Sequence, residues 1–141
     1  MSNVVYIEID SKEFDMRFNE FRTMFRKASM KGLKQSGRLV RDRIKKFIKD
    51  PPKTGRKYPS LPNRSSKAGE SPAKQLGGLS RSIKYVVPAW DEMEVGSTTA
   101  VKYGFFLEIY LNRPFVSRAV SETYNTVRMI LSMSLNEGLK I

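Results

Sequence analysis

Residues 14–49 read "FDMRFNEFRTMFRKASMKGLKQSGRLVRDRIKKFIK" and carry two patterns on one predicted helix. Apolar side chains recur at spacings of four, three, four and three, which is the period of one helical face. We interpret that face as core packing rather than as an aromatic binding platform. The predicted helix covers residues 11–49 and ends before Pro51 and Pro52, which cannot continue it. This Phe face consists of Phe14, Phe18, Phe21, Phe25 and Ala28.

Two glycines interrupt the middle of this helix. Gly32 and Gly37 each weaken a helix by up to about 1 kcal/mol relative to alanine, so their presence calls for a packing reason. Because glycine has no side chain, another element can approach the helix backbone closely at such a position. We therefore expect a bend or a close helix crossing here.

The polar side of the same helix carries a basic stripe. Its members fall within an arc of about 80°, away from the Phe face, and extend for roughly 33 Å. Like charges on one face repel one another, and an anionic surface would relieve that repulsion. Contact with DNA phosphates or an acidic subunit and a simple solvated outer face remain open alternatives. The stripe consists of Lys27, Lys31, Lys34, Arg38, Arg41, Lys45 and Lys49.

Residues 51–78 read "PPKTGRKYPSLPNRSSKAGESPAKQLGG" and predict a long irregular loop, because proline and glycine disfavour regular structure. A loop of this length within a compact domain is usually functional or mobile. It is not a phosphate-binding P-loop, since the spacing Gly-x-x-x-x-Gly-Lys-Ser/Thr is absent from it.

The following segment predicts a small sheet. The run "SIKYVV" from residue 82 indicates a strand, and residues 91–97 indicate a return strand, with a hairpin around residues 88–91. Residues 101–111 are apolar and aromatic, and their periodicity leaves a strand and a short helix as alternatives. We assign residues 82–111 as the sheet region.

A second helix is predicted over residues 114–137, with Pro114 at its first position and Gly138 as its C-cap. A short strand at residues 4–10 completes the pattern. The order predicts one α+β domain over residues 1–141, in which a long N-terminal helix and a C-terminal helix pack on a small antiparallel sheet. The buried face predicted for the second helix is Val116, Ala119, Val120, Tyr124, Val127, Ile130, Leu131 and Leu135.

Composition argues against catalysis. The chain contains no cysteine and no histidine, which excludes disulfides, thiolate nucleophiles and zinc sites built from those ligands. The commonest general base near neutral pH is therefore also absent. Asp91, Glu92 and Glu94 form the only tight acidic cluster in the sequence, and we interpret it as a solvated hairpin tip. We expect no enzymatic activity, no metal and no cofactor.

The charge is unevenly distributed. The formal net charge is +12, and residues 1–75 hold 19 Lys/Arg against 8 Asp/Glu. Such an excess suggests an anionic partner for the first half, which nucleic acid, a membrane surface or an acidic protein would satisfy. The sequence has no run of about 18 apolar residues and no signal-peptide pattern at its N-terminus, so we expect no membrane span.

Several short motifs follow one another in the order of a known family. The loop contains Gly-Glu-x-Pro-Ala, a strand then begins with Ser-Ile, a hairpin follows, and Tyr-x-x-Phe-Leu-Glu precedes Arg-Pro-Phe at the last helix. Over about residues 11–135 the chain resembles small tail-completion, or head–tail joining (neck), proteins of long-tailed bacteriophages. The motif residues are Gly69–Ala73, Gly78, Leu79, Ser82, Ile83, Val95–Ser97, Tyr103–Glu108, Arg113, Pro114 and Phe115.

The resemblance implies a structural virion protein, a minor tail component located at the neck or upper tail. Proteins of this family act as rings, commonly sixfold, that make the tail competent to join the DNA-filled head. The implied partners are further copies of the chain and neighbouring neck and tail proteins, with DNA passing through the ring as a candidate. The implied location is the virion, after assembly in the host cytoplasm. One departure is that residues 109–112 replace a longer family loop.

In a ring, each subunit needs contacts that its own fold does not satisfy. A long loop poor in apolar residues can stay mobile in the monomer and become ordered on a neighbour, where its basic residues meet acidic patches. A merely flexible surface loop is the alternative. The residues assigned to this subunit-interface loop are Lys53, Arg56, Lys57, Arg64, Lys67, Gly69, Glu70, Pro72 and Lys74.

A second functional hypothesis needs no family. The basic stripe alone would allow sequence-independent binding of nucleic acid through phosphate contacts. The motif residues also suggest three local contacts: Arg113 pairs with Glu108, Tyr103 and Phe106 lie in the core, and Gly78 makes the turn that leads Leu79 into the sheet region.

Overall fold

The computed structural model describes residues 11–50, 53–98 and 103–140. The predicted α+β layout is confirmed, because two long helices pack on each other and on a two-stranded antiparallel sheet. The strand predicted at residues 4–10 lies outside the described residues. None of the described helices is both long and apolar enough to span a bilayer. The elements are α1 (Ser11–Lys49), α2 (Gly78–Ser82), β1 (Ile83–Ala89), β2 (Glu92–Ser97), α3 (Tyr103–Ile109) and α4 (Val116–Leu139).

Small residues bring α1 and α4 into close antiparallel contact. A Cβ on Gly32 would lie 3.0 Å from Leu131 Cδ2 and 3.1 Å from Ser134 Cβ, and a Cβ on Gly138 would collide with Ala28. Ser134 Oγ donates a 2.6 Å hydrogen bond to the Ala28 carbonyl oxygen. The close helix crossing expected at Gly32 is therefore confirmed, and a larger residue there would have to displace Leu131 or Ser134.

Gly37 allows the β-hairpin to pack closely against another side of α1. Any side chain at this position would collide with the ring of Tyr85 on β1, and Met93 Sδ on β2 lies 3.0 Å from the place of its Cβ. β1 and β2 pair in register from Ile83 with Ser97 to Val86 with Glu94. A two-stranded hairpin is marginal by itself, so this contact with α1 supplies the support that it needs.

The core forms where α1, α2, β1 and the start of α4 meet. Its fully buried side chains include Ile44, Ile48, Ile83 and Phe115. Helical spacing on α1 and the inward side of β1 direct these residues to one point. Leu107 on α3 packs against the same cluster from outside.

The ends of α4 differ from the prediction. The helix begins at Val116 with Phe115 as its N-cap, so Pro114 precedes the helix and is not its first residue. Gly138 lies inside the helix, and Lys140 is the C-cap with φ 55°. The physical reason is the helix crossing, because Gly138 serves the contact with Ala28 rather than a turn.

The segment before β1 also differs. Leu79 and Ser82 belong to the short helix α2, not to the sheet region, and the left-handed position is Gly77, with φ 83°, rather than Gly78. Residues 103–109, which were left open between strand and helix, form α3.

Several predicted core aromatics are exposed. On α1, Phe14, Phe18 and Phe21 are exposed by 66%, 50% and 50%, so the core interpretation of the Phe face is wrong in its first half. The cause is the length of α4, which ends one residue after Gly138, the residue that lies against Ala28, so Phe14, Phe18 and Phe21 lie past its end. The predicted core position is also wrong for Tyr103 and Phe106 on α3 and for Val120 and Tyr124 on α4, all of which are exposed.

Replacing Gly32 by valine should lower the free energy of unfolding by about 1–3 kcal/mol, because the new side chain overpacks the α1–α4 contact. The measurement is chemical denaturation of both proteins. Gly96→Val is the matched control, since a Cβ at Gly96 meets no atom within 4 Å. Equal stability of the two variants would contradict the proposed role of the close contact.

Candidate functional site

The segment from residue 53 to residue 77 contains no helix or strand, yet it is held closely by the rest of its own chain. Gly69 N donates to the Asn112 carbonyl at 2.6 Å, and Lys74 N donates to the Ile48 carbonyl at 3.1 Å. Ser71 Oγ donates to the Pro114 carbonyl at 2.6 Å. These contacts within the chain differ from the expectation of a loop that stays mobile in the monomer and becomes ordered on a neighbour.

Glu70 organises the middle of the loop. Its carboxylate accepts hydrogen bonds from Thr54 N at 3.0 Å and Lys67 N at 2.9 Å, and a further one from Thr54 Oγ1. These donors stabilise the charged form and lower the pKa of Glu70 to about 2. The glutamate of the Gly-Glu-x-Pro-Ala motif therefore closes the loop on itself.

Lys53 is also used internally. Its Nζ donates to the carbonyl oxygens of Phe47 and Ser71, both at 2.7 Å, and so connects the end of α1 with the loop. Burial lowers the pKa of Lys53, and the nearby Glu70 carboxylate acts in the opposite direction. Lys53 is thus a structural cation rather than an outward contact.

Glu108 on α3 caps α4 from outside that helix. Its carboxylate accepts hydrogen bonds from Phe115 N at 2.8 Å, Val116 N at 3.1 Å and Ser117 N at 3.0 Å, and one from Ser117 Oγ. These are donors that a helix start leaves unsatisfied, and a negative charge is favourable there. Burial raises the pKa of Glu108, but the hydrogen bonds, led by Ser117, outweigh burial and lower it.

The predicted pairing of Arg113 with Glu108 is wrong. Among the described residues, no ion pair joins them, because the Glu108 oxygens are occupied by the N-terminus of α4. Arg113 instead donates its backbone N–H to the Leu107 carbonyl at 3.0 Å. Sequence reasoning missed the cap since the carboxylate precedes the helix by several residues, whereas a capping box places it inside.

A cleft of about 500 Å³ lies between the loop and the helices α2 and α3. Apolar side chains form much of its wall, among them Leu61, Leu76 and Leu107. Ser66 and Arg113 belong to its wall, and within the described part of the chain Ser66 Oγ and Arg113 Nε are buried without a hydrogen-bond partner.

The structure brings the family motifs together around the start of α4. The Gly-Glu-x-Pro-Ala segment bonds to the Arg-Pro-Phe segment through Ser71 and Pro114, and Glu108 bonds to Phe115. Leu79, Ile83 and Phe115 share the core, whereas Ser82 Oγ bonds to the Leu79 carbonyl. Gly78 and Tyr103 both line the cleft.

Of the interface-loop residues, fewer face outward than the sequence suggested. Lys57 Nζ bonds to the carbonyls of Leu61 and Pro62, Arg64 bonds to the Gly55 carbonyl, and Pro72 is buried. Lys57 and Arg64 are nevertheless exposed, as are Arg56, Lys67 and Lys74. Among the described residues, the side chains of Arg56, Lys67 and Lys74 make no hydrogen bond within the chain, in contrast to those of Lys57 and Arg64.

The basic stripe forms the solvent side of α1, between the hairpin and α4. Its two margins are engaged, since Lys31 lies 3.3 Å from Glu137, and Arg41 pairs with Asp42 and stacks over Tyr85 at 5.4 Å. Lys45 is half-buried. The exposed members are Lys27, Lys31, Lys34, Arg38 and Lys49, and of these only Lys31 forms an ion pair among the described residues.

The acidic residues Asp91, Glu92 and Glu94 lie exposed on the hairpin. Over residues 11–50, 53–98 and 103–140, no three acidic side chains come together in a group that would hold a metal ion. The carboxylates with perturbed pKa values, Glu70 and Glu108, are both saturated by donors of their own chain.

Glu108→Gln should destabilise the protein by about 1 kcal/mol, because the helix loses a charged cap at its N-terminus. Thermal or chemical denaturation measures this. The matched control is Glu94→Gln, the same change at an exposed position of β2. A Glu108→Gln protein as stable as the control would refute the capping role.

Low pH should reduce the contribution that Glu70 makes to the stability of the folded protein. A carboxyl with a folded pKa of about 2, below its ordinary 4.5, contributes stability that is fully present above the higher value and lost as pH falls through the lower one. The stability difference between the native protein and Glu70→Gln should therefore shrink from pH 6 to pH 2.5. Denaturation at several pH values tests this, with Glu92→Gln on the hairpin as control. A pH-independent difference would contradict it.

No protein-family model, no curated protein and no solved structure matches this chain.

Proposed function

We propose that the chain is a structural protein of the phage neck or upper tail. Copies of it form a ring, six by the family resemblance, that completes the tail and joins it to the DNA-filled head. It acts within the virion, after assembly in the host cytoplasm, together with neighbouring neck and tail proteins. No catalytic step is part of this role.

One observation carries the proposal. Motifs separated by more than forty positions in the sequence, from Gly69 to Phe115, meet at a single place around the start of α4. Two of their polar residues, Glu70 and Glu108, accept hydrogen bonds from backbone N–H groups of the chain. Such residues fix the shape of a loop and of a helix end. This is typical of a structural protein that binds its partners through a preformed surface.

The exposed part of the loop is the surface that we assign to the neighbouring subunit. Arg56, Lys67 and Lys74 extend from a loop whose backbone is already fixed by Glu70. Leu76 at the cleft is exposed by 77%. A rigid rim of charge beside an exposed apolar side chain resembles the centre-and-rim composition of protein interfaces.

A second function is favoured by the stripe alone. Lys27, Lys34 and Arg38 lie exposed on one face of a continuous helix, where they would contact phosphates without reading bases. This alternative predicts DNA binding by the monomer that falls steeply as salt is raised.

The two functions are separated by two variants that each remove three positive charges. The loop variant is Arg56→Gln/Lys67→Gln/Lys74→Gln, and the stripe variant is Lys27→Gln/Lys34→Gln/Arg38→Gln. For the neck function, the loop variant should fold but fail to form rings on isolated tails and fail to yield infectious particles. The stripe variant should still form rings.

Native mass spectrometry on tails, a plating assay and circular dichroism give the readouts. Each variant serves as the charge-matched control of the other. Normal particle yield from the loop variant would contradict the loop assignment. Loss of salt-dependent DNA binding in the stripe variant, with no tail binding by either protein, would favour the alternative function.

A further inference from the structure

Among the described residues, the first part of α1 is exposed along its length and extends past the end of α4. Every side chain from residue 11 to residue 24 is exposed, and the next residue, Phe25, is half-buried. At 1.5 Å per residue this arm, residues 11–24, extends about 21 Å. α4 ends where Gly138 meets Ala28, so it covers none of the arm. The arm displays Phe14, Phe18 and Phe21, each at least half exposed.

The exposed phenylalanines lie on the same face of α1 as Ala28 and Gly32, which contact α4. Phe14, Phe21 and Ala28 are seven residues apart, as are Phe18, Phe25 and Gly32. This is the heptad pattern of a coiled-coil seam. α4 occupies the seam at Ala28 and Gly32, and the Trp90 ring contacts Phe25 at 5.7 Å. The rest of the seam therefore has the periodicity to receive a helix that runs in the direction of α4.

We propose that this helix is the arm of a second copy, and that two arms pair as an antiparallel two-stranded coiled coil. In that register Phe18 lies opposite Phe21 of the other copy, and Phe14 lies opposite Phe25. The partner arm then occupies the seam where α4 stops. The inference does not depend on the proposed neck function, since it uses only the arm.

Charges beside the seam select the antiparallel direction. Asp15 and Arg22 both occupy the position that follows Phe14 or Phe21, which is position e of the heptad, and Arg17 occupies position g. Antiparallel pairing places position e near position e of the partner, so Asp15 meets Arg22 twice. Parallel pairing places g near e, so Arg17 would face Arg22 twice, and like charges oppose that arrangement.

The surface that two arms can bury sets the expected affinity of the dimer. Three exposed phenylalanines from each copy, at about half of the 150–250 Å² that an aromatic side chain can bury, amount to roughly 600 Å² of aromatic surface. With flanking side chains this approaches the low end of specific interfaces, about 1,200 Å². We therefore expect a reversible dimer in the micromolar range rather than an obligate one.

Sedimentation equilibrium of the full chain tests the pairing. The experiment uses the native sequence and, to remove the proposed ring contacts, the Arg56→Gln/Lys67→Gln/Lys74→Gln protein. Both should dimerise, and Phe18→Gln/Phe21→Gln should raise the dissociation constant at least tenfold in each. Met16→Gln is the control, because Met16 is 64% exposed but lies on another side of the helix. A native chain that stays monomeric at 200 μM, even if it binds a tail protein, would overturn the proposal.

A charge exchange tests the orientation. Asp15→Arg and Arg22→Asp should each weaken the dimer, and the double variant should restore it, because the two pairs are then exchanged. In a parallel dimer, Arg22→Asp would instead strengthen association by relieving the contact with Arg17. That result would overturn the antiparallel assignment.

The absence of cysteine from the chain permits an independent check. A mixture of Phe18→Cys and Phe21→Cys proteins should form a disulfide-linked heterodimer on mild oxidation, and each protein alone should form far less of its homodimer. Efficient homodimer formation by either single variant would contradict the antiparallel register.

Discussion

The close approach of α1 and α4 is the constraint on which the rest of the structure depends. Gly32 and Gly138 remove the side chains that would hold the two helices apart, and the Ser134 hydrogen bond to Ala28 fixes their relative position. Because α4 lies so close at that end, its beginning is brought to Ile44 and Ile48 at the other, where Phe115 completes the core. The loop can then bond to both the end of α1 and the approach to α4.

Two glutamates fix the backbone of the segments that surround this core. Glu70 accepts hydrogen bonds from the backbone N–H groups of Thr54 and Lys67 in the loop, and Glu108 accepts them from the start of α4. Both carboxylates are therefore committed to architecture, and the chemical capacity of the chain lies in what remains outside. Those surfaces are the exposed cations of the loop, the basic stripe and the aromatic arm, and the proposed function and the proposed pairing use these surfaces.

The sequence predicted features that depend on local preferences. Proline at residues 51–52 and helical periodicity before it placed the long helix, and alternating apolar residues around a turn placed the hairpin. The close crossing at Gly32 was foreseen because glycine is costly in a helix.

Features that depend on how far another element of the fold extends were not predicted. A phenylalanine at heptad spacing is buried only if another element reaches it, and nothing in residues 14–25 reveals that α4 stops at Ala28. The same limit explains Pro114 and Glu108. Proline suits a first helical position and the position before the cap, and a carboxylate on α3 becomes a cap only after the fold has brought α4 beside it.

The most direct measurement of the neck assignment is the stoichiometry of the native protein on isolated tails, determined by native mass spectrometry and electron microscopy at low and high salt. If the chain is a neck protein, we expect a closed ring of several copies, six by the family resemblance, at one end of each tail, and a ring that persists in high salt. A protein that ignores tails but binds any DNA in a salt-dependent manner would contradict the neck assignment.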